Sequence, residues 1–264
     1  MRRGLSPFIV TMMVLGFVFL YAPIASVVVY SFNASRLVTV WAGFSLQWYG
    51  ALFANEAIGR AAAVSFEVAL MAATGALILG TLVAYGLARY RRFAGRTLFA
   101  AMATAPLVMP EIITGLSLLL LFVALEQAIG WPAGRNIFTI AIAHITLGVA
   151  FVAVIVEARL ASFDRTLEEA AADLGARPIR VFFVITLPLI MPALAAGWLL
   201  AFTLSFDDLV IASFTAGPAS TTLPMVIFSS VRLGVSPQIN ALATLILIAV
   251  TILVASANRL LRVR

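Results

Sequence analysis

Six long apolar runs organise the chain, at 8–31, 61–88, 97–125, 137–158, 187–214 and 239–257, separated by shorter polar stretches. About 20 mostly apolar residues suffice for a helix to cross the hydrocarbon core of a bilayer. The pattern therefore predicts an all-α membrane protein with six transmembrane helices. The second, third and fifth runs exceed that length, so they must tilt, bend or extend beyond the lipid. The apolar core of the first run is longer than the about 7–15 residues of a secretory signal, which favours an uncleaved anchor.

Composition agrees with the pattern. Of the 264 residues 63% are hydrophobic and 11% charged, against about 45–50% and about 25% in soluble domains. A water-soluble fold and a disordered chain are both excluded. The 17 basic residues are all Arg, the net charge is +6, Cys is absent and His occurs once. Without Lys there is no Walker A phosphate loop, and without Cys no disulfide or thiolate chemistry. A lone His argues against a metal cage. The Arg lie between apolar runs, which favours a membrane partner over nucleic acid.

Arginine placement orients the spans. Arg2 and Arg3, Arg89, Arg91, Arg92 and Arg96, then Arg159, Arg165, Arg177 and Arg180, and finally Arg259, Arg262 and Arg264 fall on one side of a six-span arrangement. Only Arg36, Arg60, Arg135 and Arg232 fall on the other. Positive residues stay cytoplasmic, so both termini are expected inside. The outer segment 33–60 carries Trp41, Trp48 and Tyr49, suited to the interface. A short apolar stretch at 223–231 reads as interfacial or re-entrant, and Ser236-Pro237 as the cap and first position of the last helix. Small residues recur every fourth position at Ala72, Ala76, Gly80, Ala84 and Ala88, and again at Ala193, Gly197, Ala201 and Ser205. Such stripes let membrane helices pack closely.

The link between the fourth and fifth spans, on the Arg-rich side, is the most informative segment. Thr166 and Glu169 have the spacing of a capping box, Gly175 suits a helix C′ position, and Pro178 follows. The short helix so delimited is unstable alone and must dock on something. Ala170, Ala171 and Leu174 give it a small apolar face. Glu169-Ala170-Ala171, Gly175 and, after nine residues, Ile185-x-Leu187-Pro188 resemble the EAA loop of ABC-importer permeases. Ala105-Pro106-Leu107-Val108-Met109-Pro110, the segment from Ser205 to Phe214 and Thr222-Leu223-Pro224-Met225 are similar to the polyamine branch of that family, which includes putrescine and spermidine/putrescine permeases.

This resemblance covers nearly the whole chain and implies a type I ABC importer permease fold. Residues 1–60 would form the first helix and periplasmic loop, 61–258 the transmembrane core with a coupling loop at 162–186, and 259–264 a cytoplasmic tail. It further implies a second homologous permease, two cytoplasmic ABC ATPases, a periplasmic polyamine-binding protein and a bacterial inner-membrane location. Glu169, Ala170, Ala171, Leu174 and Gly175 would couple to the ATPase. The chain itself would be non-catalytic and bind no cofactor, with ATP and Mg on the partner.

Ionisable groups inside spans are costly and usually functional. Counting helix rise places Glu67, His144, Glu111 and the pair Asp207 and Asp208 near one level in the outer half of the bilayer. That acidic layer, free of Arg, suits a polyamine whose ammonium groups donate to carboxylates. Asp207, Asp208, Glu111 and Glu67 are the candidate pathway residues. Asp207 and Asp208 point about 100° apart on a helix, so one can face the path while the other caps or pairs. His144 reads as an interhelical hydrogen-bonder, and Glu157 as a partner for Arg159 or another cytoplasmic Arg. Pro106 and Pro110 free backbone carbonyls before Glu111. Another cationic solute, or a proton-coupled secondary transporter, is the alternative; the latter class has no need of an EAA loop.

Overall fold

In a computed structural model of the chain, residues 6–37, 40–90, 92–162, 164–234 and 236–262 are described, the last segment with side chains to 252. Arg2, Arg3, Arg91 and Arg264, which entered the orientation argument, lie outside these residues.

The helices follow in order: α1 (Pro7–Tyr30), α2 (Gln47–Phe53), α3 (Glu56–Arg89), α4 (Arg96–Thr104), α5 (Glu111–Ile129), α6 (Ile137–Ala161), α7 (Thr166–Asp173), α8 (Pro178–Val181), α9 (Leu187–Asp207), α10 (Val210–Thr215), α11 (Leu223–Leu233) and α12 (Pro237–Arg262). The only β pairing among the described residues is an isolated bridge between Asn33 and Phe44. Among the described residues, five stretches are long and apolar enough to cross a membrane: α1, α3, α5, α6 and the continuous run Pro178–Asp207. The sixth expected span falls within α12, a helix of 26 residues. Ser236 accepts from the Gln238 amide at 3.3 Å, as expected of its cap.

Two expected spans are not single helices. The third is broken between α4 and α5 by a 3-10 turn, Ala105–Leu107, and three further residues. Pro110 supplies the reason: it lacks an N–H and drives the preceding residue away from helical backbone, and it stands extended (ψ 134°) before α5. The fifth span ends at Asp207 rather than 214 and begins at Pro178 rather than 187. Asp208 is extended (ψ 128°) and α10 restarts beyond it. Inside the run Pro178–Asp207, a π turn at Phe182–Thr186 precedes Pro188, and the Leu187 amide reaches back to the Phe182 carbonyl. A proline cannot donate to the carbonyl four residues earlier, and π turns absorb such mismatches.

The chain forms two compact units, residues 1–59 with 226–264, and residues 60–225. In the first, α12 packs on α1 and α2. Fully buried Asn33 organises its loop: its side chain accepts from the Ala42 amide (2.9 Å) and donates to the Val40 carbonyl (2.7 Å), while Trp48 donates its indole N–H to the Asn33 carbonyl (2.6 Å).

In the second unit α6 is central, starting at an Asn136–Thr139 capping box. Ala73, Ala76 and Ala84 of α3, Val152, Val156 and Leu160 of α6, and Ile190, Leu194 and Ala201 of α9 form one core cluster. Both small-residue stripes serve this packing. A Cβ on Gly148 would stand 2.7 Å from the Ala76 Cβ, and one on Gly80 would stand 2.7 Å from the Val152 Cβ. The backbones approach as closely as missing side chains allow, which supplies the contact that drives helix association in lipid.

Candidate functional site

The second unit holds two polar clusters near opposite ends of α9. The first is where α9 stops. Asp208 accepts from the Ala212 amide (2.8 Å) and the Ile211 amide (3.4 Å), capping α10. The same carboxylate meets His144 Nε2 at 3.1 Å, and His144 Nδ1 meets Ser205 Oγ at 2.7 Å. With a neutral ring, Nε2–H donates to the carboxylate and the serine hydroxyl donates to Nδ1. The side chains of His144 and Asp208 are 3% and 6% exposed. The space beside them, lined by Leu147, Leu204 and Ala201, is about 10 Å³, no more than one water could use.

This cluster separates the two aspartates that the sequence left equivalent. Asp208 is turned inward and is occupied by a helix cap and a histidine. Asp207 is exposed at the last position of α9, Glu111 is exposed in the first turn of α5, and Glu67 is exposed on α3. No hydrogen bond or ion pair among the described residues joins Glu67 or Glu111 to the aspartate pair. The depth assigned to Glu111 assumed an unbroken third span, so the break at 105–110 removes the basis of that figure.

The second cluster surrounds α7. Thr166 is its first residue, not its cap: the Asp164 carboxylate accepts from the Thr166 amide at 3.0 Å, and the expected capping box with Glu169 is absent. A carboxylate two residues upstream is the stronger competitor for that N–H. At the other end Gly175 takes the left-handed C′ position (φ +81°). Its amide bonds to the Ala172 carbonyl (2.8 Å) and that of Ala176 to the Ala171 carbonyl (3.0 Å), the paired bonds of a Schellman motif.

Glu169, Ala170 and Leu174 are exposed, Leu174 at 90%, and Ala171 is partly buried. Glu168 is the buried member of this helix. It accepts from Arg89 at the end of α3 and from the Thr186 hydroxyl at the end of the π turn. Burial alone would raise its pKa; the bonds from Arg89 and Thr186 and the charges of Arg89 and Arg165 outweigh it and hold the carboxyl below its ordinary value. Arg165 donates to the Ala88 carbonyl at 2.7 Å. Nearby, Leu87, Ala88, Arg96, Glu157, Leu160, Ala161 and Arg165 line a cavity of about 330 Å³. No ion pair among the described residues joins Glu157 to Arg159; Arg159 donates instead to the Leu189 carbonyl at 3.2 Å. Sequence reasoning passed over Glu168, because its partners lie 79 and 18 positions away.

A bundle of apolar helices with small-residue packing and a short helix presented by the loop before its fifth span is the architecture of an importer permease. Residues 76–263 match the family described as binding-protein-dependent transport system inner membrane component, and the chain belongs to that family. It is thus a multi-pass inner-membrane transport component. It is 62% identical over 247 residues to the putrescine transport system permease protein PotI of Escherichia coli strain K12, covering 94% of this chain and 88% of that one. It is 41% identical over 246 residues to the spermidine/putrescine transport system permease protein PotC of the same strain, covering 93% and 90%. Its fold matches a crystal structure of a bacterial ABC transporter that imports the acidic polysaccharide alginate, with a TM-score of 0.74 at 20% identity over 95% of both chains.

Proposed function

We propose that the chain is one membrane half of an ATP-driven importer that carries a polyamine, putrescine first, from periplasm to cytoplasm. The observation that carries this reading is the 62% identity to a putrescine permease along 94% of the chain. A second homologous permease completes the pore, two ABC ATPases bind beneath it, and a periplasmic polyamine-binding protein delivers cargo. Both termini are cytoplasmic in this arrangement. ATP and Mg belong to the ATPases, and this chain binds neither.

The exposed acids Asp207, Glu111 and Glu67 meet the cargo ammonium groups, while Asp208 holds the helix break after α9. Such contacts need only be weak, since cargo must leave as readily as it enters. Glu169, Ala170, Leu174 and Gly175 present the end of α7 to the ATPase.

The test is uptake of radiolabelled putrescine by the complete transporter in vesicles. ATP-dependent uptake that outcompetes spermidine, and that falls several-fold in Asp207→Asn without loss of inserted protein, supports the reading. Uptake that continues with the ATPase omitted overturns it.

A further inference from the structure

One buried carboxylate fastens α7 to two membrane helices. Glu168, 7% exposed, receives the Arg89 guanidinium from the last residue of α3 and the Thr186 hydroxyl from the turn that leads into α9. Arg165, one turn earlier, clasps the neighbouring Ala88 carbonyl of α3. Arg89 also lies over the Tyr85 ring, 5.3 Å from its centre, and Tyr85 meets Phe182 edge-on at 5.5 Å. The end of α3, the start of α7 and the π turn before α9 thus share one continuous set of contacts, centred on Glu168. The remaining face of α7 carries exposed Glu169, Ala170 and Leu174.

We propose that Glu168 is the positioning residue of the coupling step, the side chain through which a displacement of α7 reaches α3 and α9 together. This rests on the reading of α7 as the ATPase-docking helix and assigns it a partition: the outer face docks, the inner carboxylate transmits. Charge-assisted bonds of this kind are short and strong, and losing one partner leaves the other buried and uncompensated. A shift of α7 therefore carries both attached helices with it or breaks the joint. The π turn adjoining Thr186 replaces regular i→i−4 bonding with a longer reach, so the start of α9 can shift there without unravelling the helix.

The experiment uses the complete transporter in vesicles and reads three quantities: ATPase recovered with the membrane subunits, ATP hydrolysed, and cargo moved per ATP. Glu168→Gln keeps the shape and removes the charge. It is expected to retain the ATPase and to continue hydrolysis, while cargo moved per ATP falls about tenfold, within the usual range of coupling energies. Thr186→Val, which removes one bond and no charge, is expected to lower the same ratio about twofold to threefold. The exchange Glu168→Arg with Arg89→Glu is expected to recover part of it.

An unchanged ratio in Glu168→Gln overturns the proposal. So does loss of ATPase recovery in that variant, which would make Glu168 part of the docking face. Should Glu168→Gln fail to insert, Thr186→Val decides alone: a lowered ratio supports the joint and a normal one refutes it. Failure of the underlying reading looks different, because Glu169→Lys would then recover the ATPase normally whatever Glu168 does.

Discussion

At one end of α9 the Asp208 carboxylate is used entirely within the protein, by two amides of α10 and by His144, and almost no space surrounds it. Near the other end Glu168 is equally buried, yet it belongs to a helix whose opposite face is bare, with Leu174 90% exposed, beside a cavity of about 330 Å³. The 21 residues between these clusters span about 31 Å, close to the thickness of a hydrocarbon core. Both joints are carboxylates that accept from donors on more than one element. They differ in what they leave over. The Asp208 joint is closed and fixes a helix break, while the Glu168 joint is finished on one side and open on the other. A closed break after one end of α9 and an open-faced joint before the other suit the proposed role of a part driven from one end.

The largest test of this contrast is at the closed joint. Asp208→Ala removes the α10 cap and leaves His144 buried without its partner. The expected loss is about 2–4 kcal/mol of stability, from a lost helix cap together with a buried N–H left unpaired. Asp207→Ala, at an exposed position, is expected to change stability by no more than about 0.5 kcal/mol. Thermal unfolding in detergent measures both. Equal losses in the two variants would erase the distinction between the aspartates.

That distinction was only half legible in the sequence. Six apolar runs follow from hydropathy, which is local, and the small-residue stripes are readable because their period is. Gly175 was legible for the same reason, since a left-handed C′ residue is a property of three or four neighbours. Asp207 and Asp208 diverge by helix geometry, but which of them turns inward depends on His144, 64 positions from Asp208, and on a helix break that hydropathy does not register. Pro110 marks the other break, but helix rise counted along a straight rod does not carry that break through to the depth of Glu111. Glu168 failed to attract notice beside the EAA motif because nothing within α7 distinguishes it from Glu169. Its identity as the buried acid is set by Arg89 and Thr186. The misplaced capping box is instructive in a smaller way: Thr166 and Glu169 have the right spacing, but Asp164 competes for the same amide and wins.

A smaller effect is expected on acidification, at the open joint. Glu168 titrates below its ordinary 4.5 while folded, because the bonds from Arg89 and Thr186 and the nearby Arg charges overcome the opposing effect of burial. A depressed carboxylate contributes stability that is fully present above the unfolded pKa and is lost as pH falls through the folded one. The attachment of α7 should hold from neutrality down to about pH 4.5 and loosen only below it. Hydrogen-exchange protection of the α7 amides, corrected for intrinsic rates, reports this directly. In Glu168→Gln the part of the low-pH loosening that comes from the Arg89 and Thr186 attachment should vanish, since Gln carries no charge to lose there. Loosening of the unaltered protein that sets in near pH 6 would point to another group.

The smallest effect on stability, and the most telling about the exposed face, concerns Leu174. At 90% exposure it contributes almost nothing to the isolated fold, so Leu174→Asp should alter the unfolding midpoint by an amount equivalent to no more than about 0.5 kcal/mol. Burying a leucine side chain in a partner's cleft is nevertheless worth about 1.5–3 kcal/mol. A charged replacement adds the cost of desolvating a carboxylate there. ATPase recovered with the membrane subunits should therefore drop by about tenfold or more while the protein remains as stable as before. Such a split between stability and docking is what an unfinished face predicts. If Leu174→Asp instead lowered stability and left ATPase recovery intact, Leu174 would belong to the fold, and the outer face of α7 would no longer be open to a partner.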